Sequence, residues 1–163
     1  MSKTAAEWEQ TGTHIVPNTI VLHHTCGPID QTVDDIDAEH RANGWAGIGY
    51  EGIWTKASGV WEFHQGRPDD IQGAQAQGIN SHSVGYSMCG NYQDHEPDDE
   101  LKHRVVQDLA IKAKRMGITA DRIILHRDVA GIIGDSSVAT DCPGNAAAHW
   151  FNTVGRAAVA AYL

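Results

Sequence analysis

Basic residues are scarce in this sequence. Twelve Lys and Arg stand against 21 Asp and Glu, for a formal net charge of −9 at pH 7. A protein that tracks nucleic-acid phosphates displaces counterions with a basic surface, so the balance argues against a nucleic-acid partner. It argues equally against simple attraction to an anionic membrane. Long apolar runs are also missing: none approaches the roughly 18–20 residues that span a bilayer, and no membrane insertion is expected. The opening MSKTAAEWEQTGTH carries one early lysine with no apolar stretch behind it, so synthesis in the cytoplasm without a secretory signal peptide is expected. Cysteine is limited to Cys26, Cys89 and Cys142, an odd number that does not describe a disulfide framework. Internal repeats and linker-like stretches are lacking too. The reading is therefore one domain over residues 1–163, with 1–17 as an N-terminal extension, and enough chain to bury a real core.

Histidine is what the sequence has in quantity, ten in 163 residues. Two of them end similar apolar runs. TIVLH (19–23) and DRIILH (121–126) are short, β-branched segments of the kind that form buried strands. IGYEGIWT (48–55) and GVWEFH (59–64) predict a hairpin around KASG, and VGYSMCG (84–90) another interior strand. Thr32 with Asp35 resembles a capping box, opening a short helix that Asn43-Gly44 stops. Asp98 predicts the cap of a long helix with Leu101, Val105, Leu109 and Ala113 on its inner face and Gly117 as its stop. Asn145 predicts the cap of a last helix with Trp150, Val154 and Ala158 inward. The acidic runs 34–37 and 94–100 fall at helix N-termini, where carboxylates suit the helix dipole. The expected fold is α/β, with a central mixed sheet flanked by helices.

Sheets of this kind place ligand chemistry at the carboxyl ends of their strands, which His23 and His126 both occupy. A catalytic zinc takes three protein ligands and keeps one position open. Cys142, on the loop ATDCPGN after the second of these strands, is the candidate third, its thiolate maintained by the nearby cation charge. A lone strand-end histidine is more often only a polar residue meeting solvent. Cys89 reads as a small buried hydrophobe. His24 points to the opposite face if its strand continues. His14, His40, His64, His95 and His103 show no partner pattern and read as surface or rim. Two rival sites stay open: a closed structural zinc site recruiting Cys26 or His149, and a copper site, which no nearby methionine supports.

HHT at 23–25, GWAGIGY at 44–50, SVG at 83–85, HRD at 126–128 and DCPG at 141–144 together resemble the zinc-dependent N-acetylmuramoyl-L-alanine amidases. This is the type shared by phage lysozyme-amidases and peptidoglycan recognition proteins, and the likeness runs over about residues 18–156. The resemblance implies His23, His126 and Cys142 as ligands of one Zn²⁺ per chain. It implies Tyr50 and Thr140 as catalytic, with Arg67 and Asn80 near the substrate. The reaction implied is hydrolysis of the amide between N-acetylmuramic acid and L-alanine in peptidoglycan or a muropeptide. A phage or prophage endolysin that reaches the wall by holin-type release, or by other non-classical export, fits a chain without wall-binding repeats. The alternative is a non-catalytic peptidoglycan-binding module on the same fold; receptors of that kind commonly lack the cysteine ligand.

Three features depart from the family pattern. Gln75 and Glu51 stand where histidine is usual, and fifteen residues, 127–141, separate His126 from Cys142. That long span is expected to form a lip beside the metal. Asp128, Asp141 or backbone carbonyls are the candidates to fix the outer nitrogens of His23 and His126. Glu51 enters the proton chemistry only if a bulge turns it toward Tyr50.

Overall fold

Alternation along the first strand separates the two faces of the domain. In a computed structural model describing residues 2–163, β1 spans Thr19–His24 and is buried throughout. Side chains on a strand alternate between faces. Ile20 and Leu22 therefore join the large core. Val21 faces the other way, into a smaller cluster with Ala76, Ile79 and Val129. His23 follows Val21 onto that thinner side.

The elements run in the order α1 (Ala5–Thr11), β1, α2 (Val33–Ala42), β2 (Gly52–Thr55), β3 (Glu62–Gln65), β4 (Ser83–Met88), α3 (Asp99–Met116), β5 (Ile123–Leu125), α4 (Val129–Ile133), α5 (Asn145–Trp150) and α6 (Arg156–Ala160). One mixed sheet has the order β3-β2-β4-β1-β5. Four strands are parallel, and β3 joins β2 as an antiparallel hairpin. The fold is α/β, as the segment order predicts. Among the described residues no helix is long and apolar enough to cross a membrane.

Local signals act as expected at most helix ends. The Thr32 hydroxyl accepts the Asp35 N–H at 3.1 Å, and the Asp35 carboxylate accepts the Thr32 N–H at 2.8 Å. Asp98 accepts the Leu101 N–H at 2.8 Å, and α3 ends at Gly117 in the left-handed region. Leu101, Val105, Leu109 and Ala113 are all buried.

The last helix corrects the sequence reading. Asn145 is its first residue rather than its cap, which is Gly144. Residues Phe151–Gly155 form a π-helical turn, and the wider turn advances the buried face by one position. Phe151, Gly155 and Val159 point inward, while Val154 is 57% exposed. Gly155 has no room for a side chain: a Cβ would lie 2.8 Å from the Phe151 ring. Two strand boundaries also shift. The chain is irregular from 48 to 51 and becomes strand only at Gly52, and β5 stops at Leu125, so His126 opens a 3₁₀ turn.

Residues 2–17, expected as an extension, are mostly exposed but anchored to the domain at Trp8 and Ile15. Trp8 is 2% exposed within the large core and lies under the Arg67 guanidinium, 4.3 Å from ring centroid to Cζ. Ile15 N–H reaches the Asp70 carbonyl at 2.8 Å. Trp8→Ala is expected to cost about 3–5 kcal/mol, the usual range for emptying a buried aromatic site. Denaturant unfolding at unchanged m-value measures it, and a loss under 1 kcal/mol would show the segment to be an appendage.

Candidate metal centre and active site

Register delivers the first two candidate ligands. Leu22 pairs with Leu125 across β1 and β5, so the residues that follow, His23 on β1 and His126 just past the end of β5, emerge side by side. Their ring centroids are 4.4 Å apart. Cys142 arrives from the loop before α5, with its Sγ 3.6 Å from His23 Nδ1 and 3.4 Å from the His24 backbone nitrogen. One ligand atom from each of His23, His126 and Cys142 lies within 4.8 Å of the others. The group includes neither Cys26, which is exposed, nor His149, which faces outward on α5. The closed four-ligand reading therefore lacks its fourth donor.

Arg127, next to His126, holds the loop that carries the cysteine. Its backbone N–H donates to the Cys142 carbonyl at 2.8 Å, and its guanidinium donates to the Asp141 carbonyl and to Asn145 Oδ1. Gly144 completes the turn at φ +94°, where a Cβ would sit 2.4 Å from the Tyr92 backbone.

Burial sets the charge state of the three donors. It pushes His23 well below the ordinary imidazole range, with the neighbouring His126 acting in the same direction, and brings His126 to about 4. Both rings are thus neutral and offer lone pairs. Burial pushes the Cys142 thiol up to about 12, so its ionised form needs a cation's charge beside it. Two neutral imidazoles and one sulfur, with a cleft beside them, are a donor set that fits a zinc site keeping one position open.

That cleft, of about 210 Å³, is lined by His23, His126 and Cys142 together with Tyr50, Thr140 and Trp45. The structure thus brings together five of the seven sequence-predicted site residues. The Tyr50 ring lies 5.2 Å from His23, and burial, then the Cys142 charge, raises its phenol so that it stays protonated. The Thr140 hydroxyl accepts the Cys142 N–H at 3.2 Å, leaving its own proton to donate. Asn80 borders the adjoining groove of about 500 Å³, with its Oδ1 taken by the N–H groups of Gln75 and Ala76. Arg67 is elsewhere: it is buried against Trp8 and donates to the Ile48 and Gln72 carbonyls at 2.8 and 2.7 Å. The long span after His126 lines the same groove through Ser137, Val138 and Ala139.

Other residues were not singled out by sequence reasoning. His40, expected on the rim, accepts the Gly49 N–H at 2.8 Å and lies against both Trp45 and Tyr50. Asp37, read as a dipole partner, is buried and accepts the Ile48 N–H at 2.8 Å. Their i, i+3 spacing on α2 was the available signal that both face the GWAGIGY segment. Asp128, a candidate with Asp141 and backbone carbonyls to fix the histidines, is occupied differently. Asp128 Oδ2 accepts the Leu125 N–H at 3.0 Å. The outer nitrogen of His23 instead meets Gln75 Oε1 at 2.6 Å. His24 faces the other side of β1 and accepts the Tyr92 N–H at 3.1 Å.

The geometry agrees with what comparison finds. The N-acetylmuramoyl-L-alanine amidase family profile matches residues 13–145. The chain belongs to that family. Peptidoglycan-recognition protein SC2 of Drosophila melanogaster is 31% identical over 135 residues, covering 76% of this chain and 66% of the relative. Among solved structures, the amidase LysC of Clostridium intestinale superposes with a TM-score of 0.70 at 28% identity, covering 82% of this chain and 80% of LysC. Drosophila PGRP-LB shares the fold, with a TM-score of 0.72 at 22% identity and 91% of each chain covered.

Glu51 is excluded from the cleft. It is fully buried, its Oε2 accepts the Gly85 N–H at 2.6 Å, and its Oε1 has no partner. Burial raises its carboxyl well above the usual 4.5, against the opposing Gly85 N–H and Arg67, and Asp69 adds to the rise. The folded chain thus holds a proton that the unfolded chain releases, so stability falls as pH rises above about 4.5 toward the folded pKa. Glu51→Gln is expected to remove that slope, giving a gain in Tm over the wild type that grows as pH rises above about 4.5 toward the folded pKa. A Tm difference independent of pH would show that Glu51 is ionised in the fold. For the metal centre, Cys26→Ser is expected to retain one zinc per chain by elemental analysis, and His126→Ala to lose it. Loss on Cys26→Ser would restore the closed site.

Proposed function

We propose that this protein is a zinc-dependent N-acetylmuramoyl-L-alanine amidase that cleaves the bond between the lactyl group of N-acetylmuramic acid and L-alanine in peptidoglycan. The observation that carries the reading is the convergence of His23, His126 and Cys142 with Tyr50 and Thr140 around one cleft. His23, His126 and Cys142 would hold the metal, which when bound supplies a nucleophile at neutral pH and polarises an amide carbonyl.

The chain's own groups do the rest. Tyr50 is a phenol held in its protonated form, and Thr140 has a free hydroxyl proton, so both act as donors to the oxygen that gains charge as the amide is attacked. His40 and Asp37 hold the segment that carries Tyr50, and Arg127 holds the loop that carries Thr140 and Cys142. The groove beyond the cleft, between Trp45, Gln77, Asn80 and the Ser137–Ala139 lip, has room for the stem peptide.

The presence of Cys142 in the cluster favours an enzyme over a binding module of the same fold. A phage or prophage endolysin is the biological role that best suits it. LysCS of Clostridium intestinale, described as an endolysin, superposes with a TM-score of 0.68 at 29% identity over 80% of this chain.

Digestion of peptidoglycan and defined muropeptides, analysed by mass spectrometry with and without a zinc chelator, tests the activity. Glycan retaining lactyl groups and peptides with new L-alanine N-termini are expected, lost on chelation and restored by zinc. Binding without cleavage at full zinc occupancy would establish the receptor-like module instead. Tyr50→Phe and Thr140→Ala are each expected to lower kcat by about 10²–10³, the range for removing one such donor.

A further inference from the structure

We propose that Gln75 is the positioning residue for His23, fixing which ring nitrogen carries the proton and so which one is offered to the metal. The inference rests on the metal reading of the cluster and is independent of turnover.

The assignment follows from counting protons along one buried chain. Ser83 Oγ lies 2.8 Å from the Ile79 carbonyl, which can only accept, so the single hydroxyl proton of Ser83 is committed there. Gln75 Nε2 lies 2.9 Å from the same Oγ and therefore donates to it. With its nitrogen turned to Ser83, the carboxamide presents Oε1 to His23 Nε2 at 2.6 Å. An amide oxygen has no proton to give, so Nε2 carries the N–H. Nδ1 is left with the lone pair, and Nδ1 is the atom that faces Cys142 Sγ at 3.6 Å. The flipped amide would set Oε1 against Ser83 Oγ, two oxygens with no proton between them.

The surroundings admit little other arrangement. Gln75, Ser83 and His23 are 7%, 0% and 1% exposed, so water does not compete for these groups. The Gln75 backbone N–H is tied to Asn80 Oδ1 at 3.0 Å. Its side chain lies flat on Gly85 of β4, where a Cβ would come within 2.6 Å of Cγ, Cδ and Oε1. Gly85 thus supplies the space in which the amide reaches His23. A ring held at its outer nitrogen loses rotational freedom and gains basicity at the inner one, which together commonly account for 10–100-fold in metal affinity.

The test is zinc affinity in the metal-stripped protein, measured by competition with a chromophoric chelator and without peptidoglycan. Gln75→Met keeps the length of the side chain and removes both polar atoms; zinc binding about 10–100-fold weaker is expected. Gln75→Glu, as the buried neutral acid with its hydroxyl donating to Ser83 Oγ in place of the amide nitrogen, keeps an oxygen on His23 Nε2 and is expected to restore affinity to within a few-fold of wild type. Ser83→Ala frees the amide to turn and should fall between them. Nitrogen NMR of the metal-free wild type should show the His23 proton on Nε2, and Gln75→Met should lose that protected resonance. Wild-type affinity in a folded Gln75→Met variant, affinity as weak for Gln75→Glu as for Gln75→Met, or a proton on Nδ1 would each overturn the proposal. A wild type that binds zinc and cleaves nothing would sink the amidase reading and leave this one standing.

Discussion

The pairing of Leu22 with Leu125 is the constraint on which the rest of the site depends. It is made by apolar side chains and backbone hydrogen bonds between parallel strands at one edge of the mixed sheet. A slip of one residue would turn Val21 and His23 toward the large core and bring Ile20 and Leu22 to the thin face. The cost of that exchange is what fixes two imidazoles beside each other. Cys142, Tyr50 and Thr140 are then brought to a point that the sheet has already defined, each on a loop fastened by side chains from a regular element.

The two faces of the sheet divide the labour. Ile20, Leu22, Tyr86 and Met88 meet α3 in the large core, where packing supplies stability. The opposite face carries a small apolar cluster and a chain of buried polar groups. Such groups are costly unless every donor finds an acceptor. Here the sequence Ile79 carbonyl, Ser83, Gln75, His23 is satisfied at each step. Glu51 and Ser87 are the exceptions, with one Glu51 carboxyl oxygen and the Ser87 hydroxyl left unpaired.

Much of this is legible in the sequence. β-branched runs ending in histidine marked the two strands, Thr32 and Asp98 marked helix starts, and the order of short motifs marked the family. Features that depend on contacts between distant segments were not legible. Gln75 stood out only as a departure from histidine, since nothing local shows that it lies on Gly85 and reaches His23. Asp128 looked like a partner for a histidine because it is two residues away, yet the 3₁₀ turn directs it to Leu125 N–H. Arg67 follows a hairpin that resembles the rim of a groove, but Trp8 draws its guanidinium inside. The last helix was misread by one position because a π turn leaves no mark in apolar spacing until the buried face is seen.

The hydrogen bond from Arg127 N–H to the Cys142 carbonyl spans the two ends of a fifteen-residue excursion. It joins the chain as it leaves one ligand to the chain as it returns to the other. Whatever lies between, here α4 and the Ser137–Ala139 lip, is a cassette whose length and composition can change while the distance between the ligands does not. The wall of the groove and the His23–His126–Cys142 cluster can thus evolve separately, and a new lip can be fitted over the cleft without rebuilding the geometry beneath it.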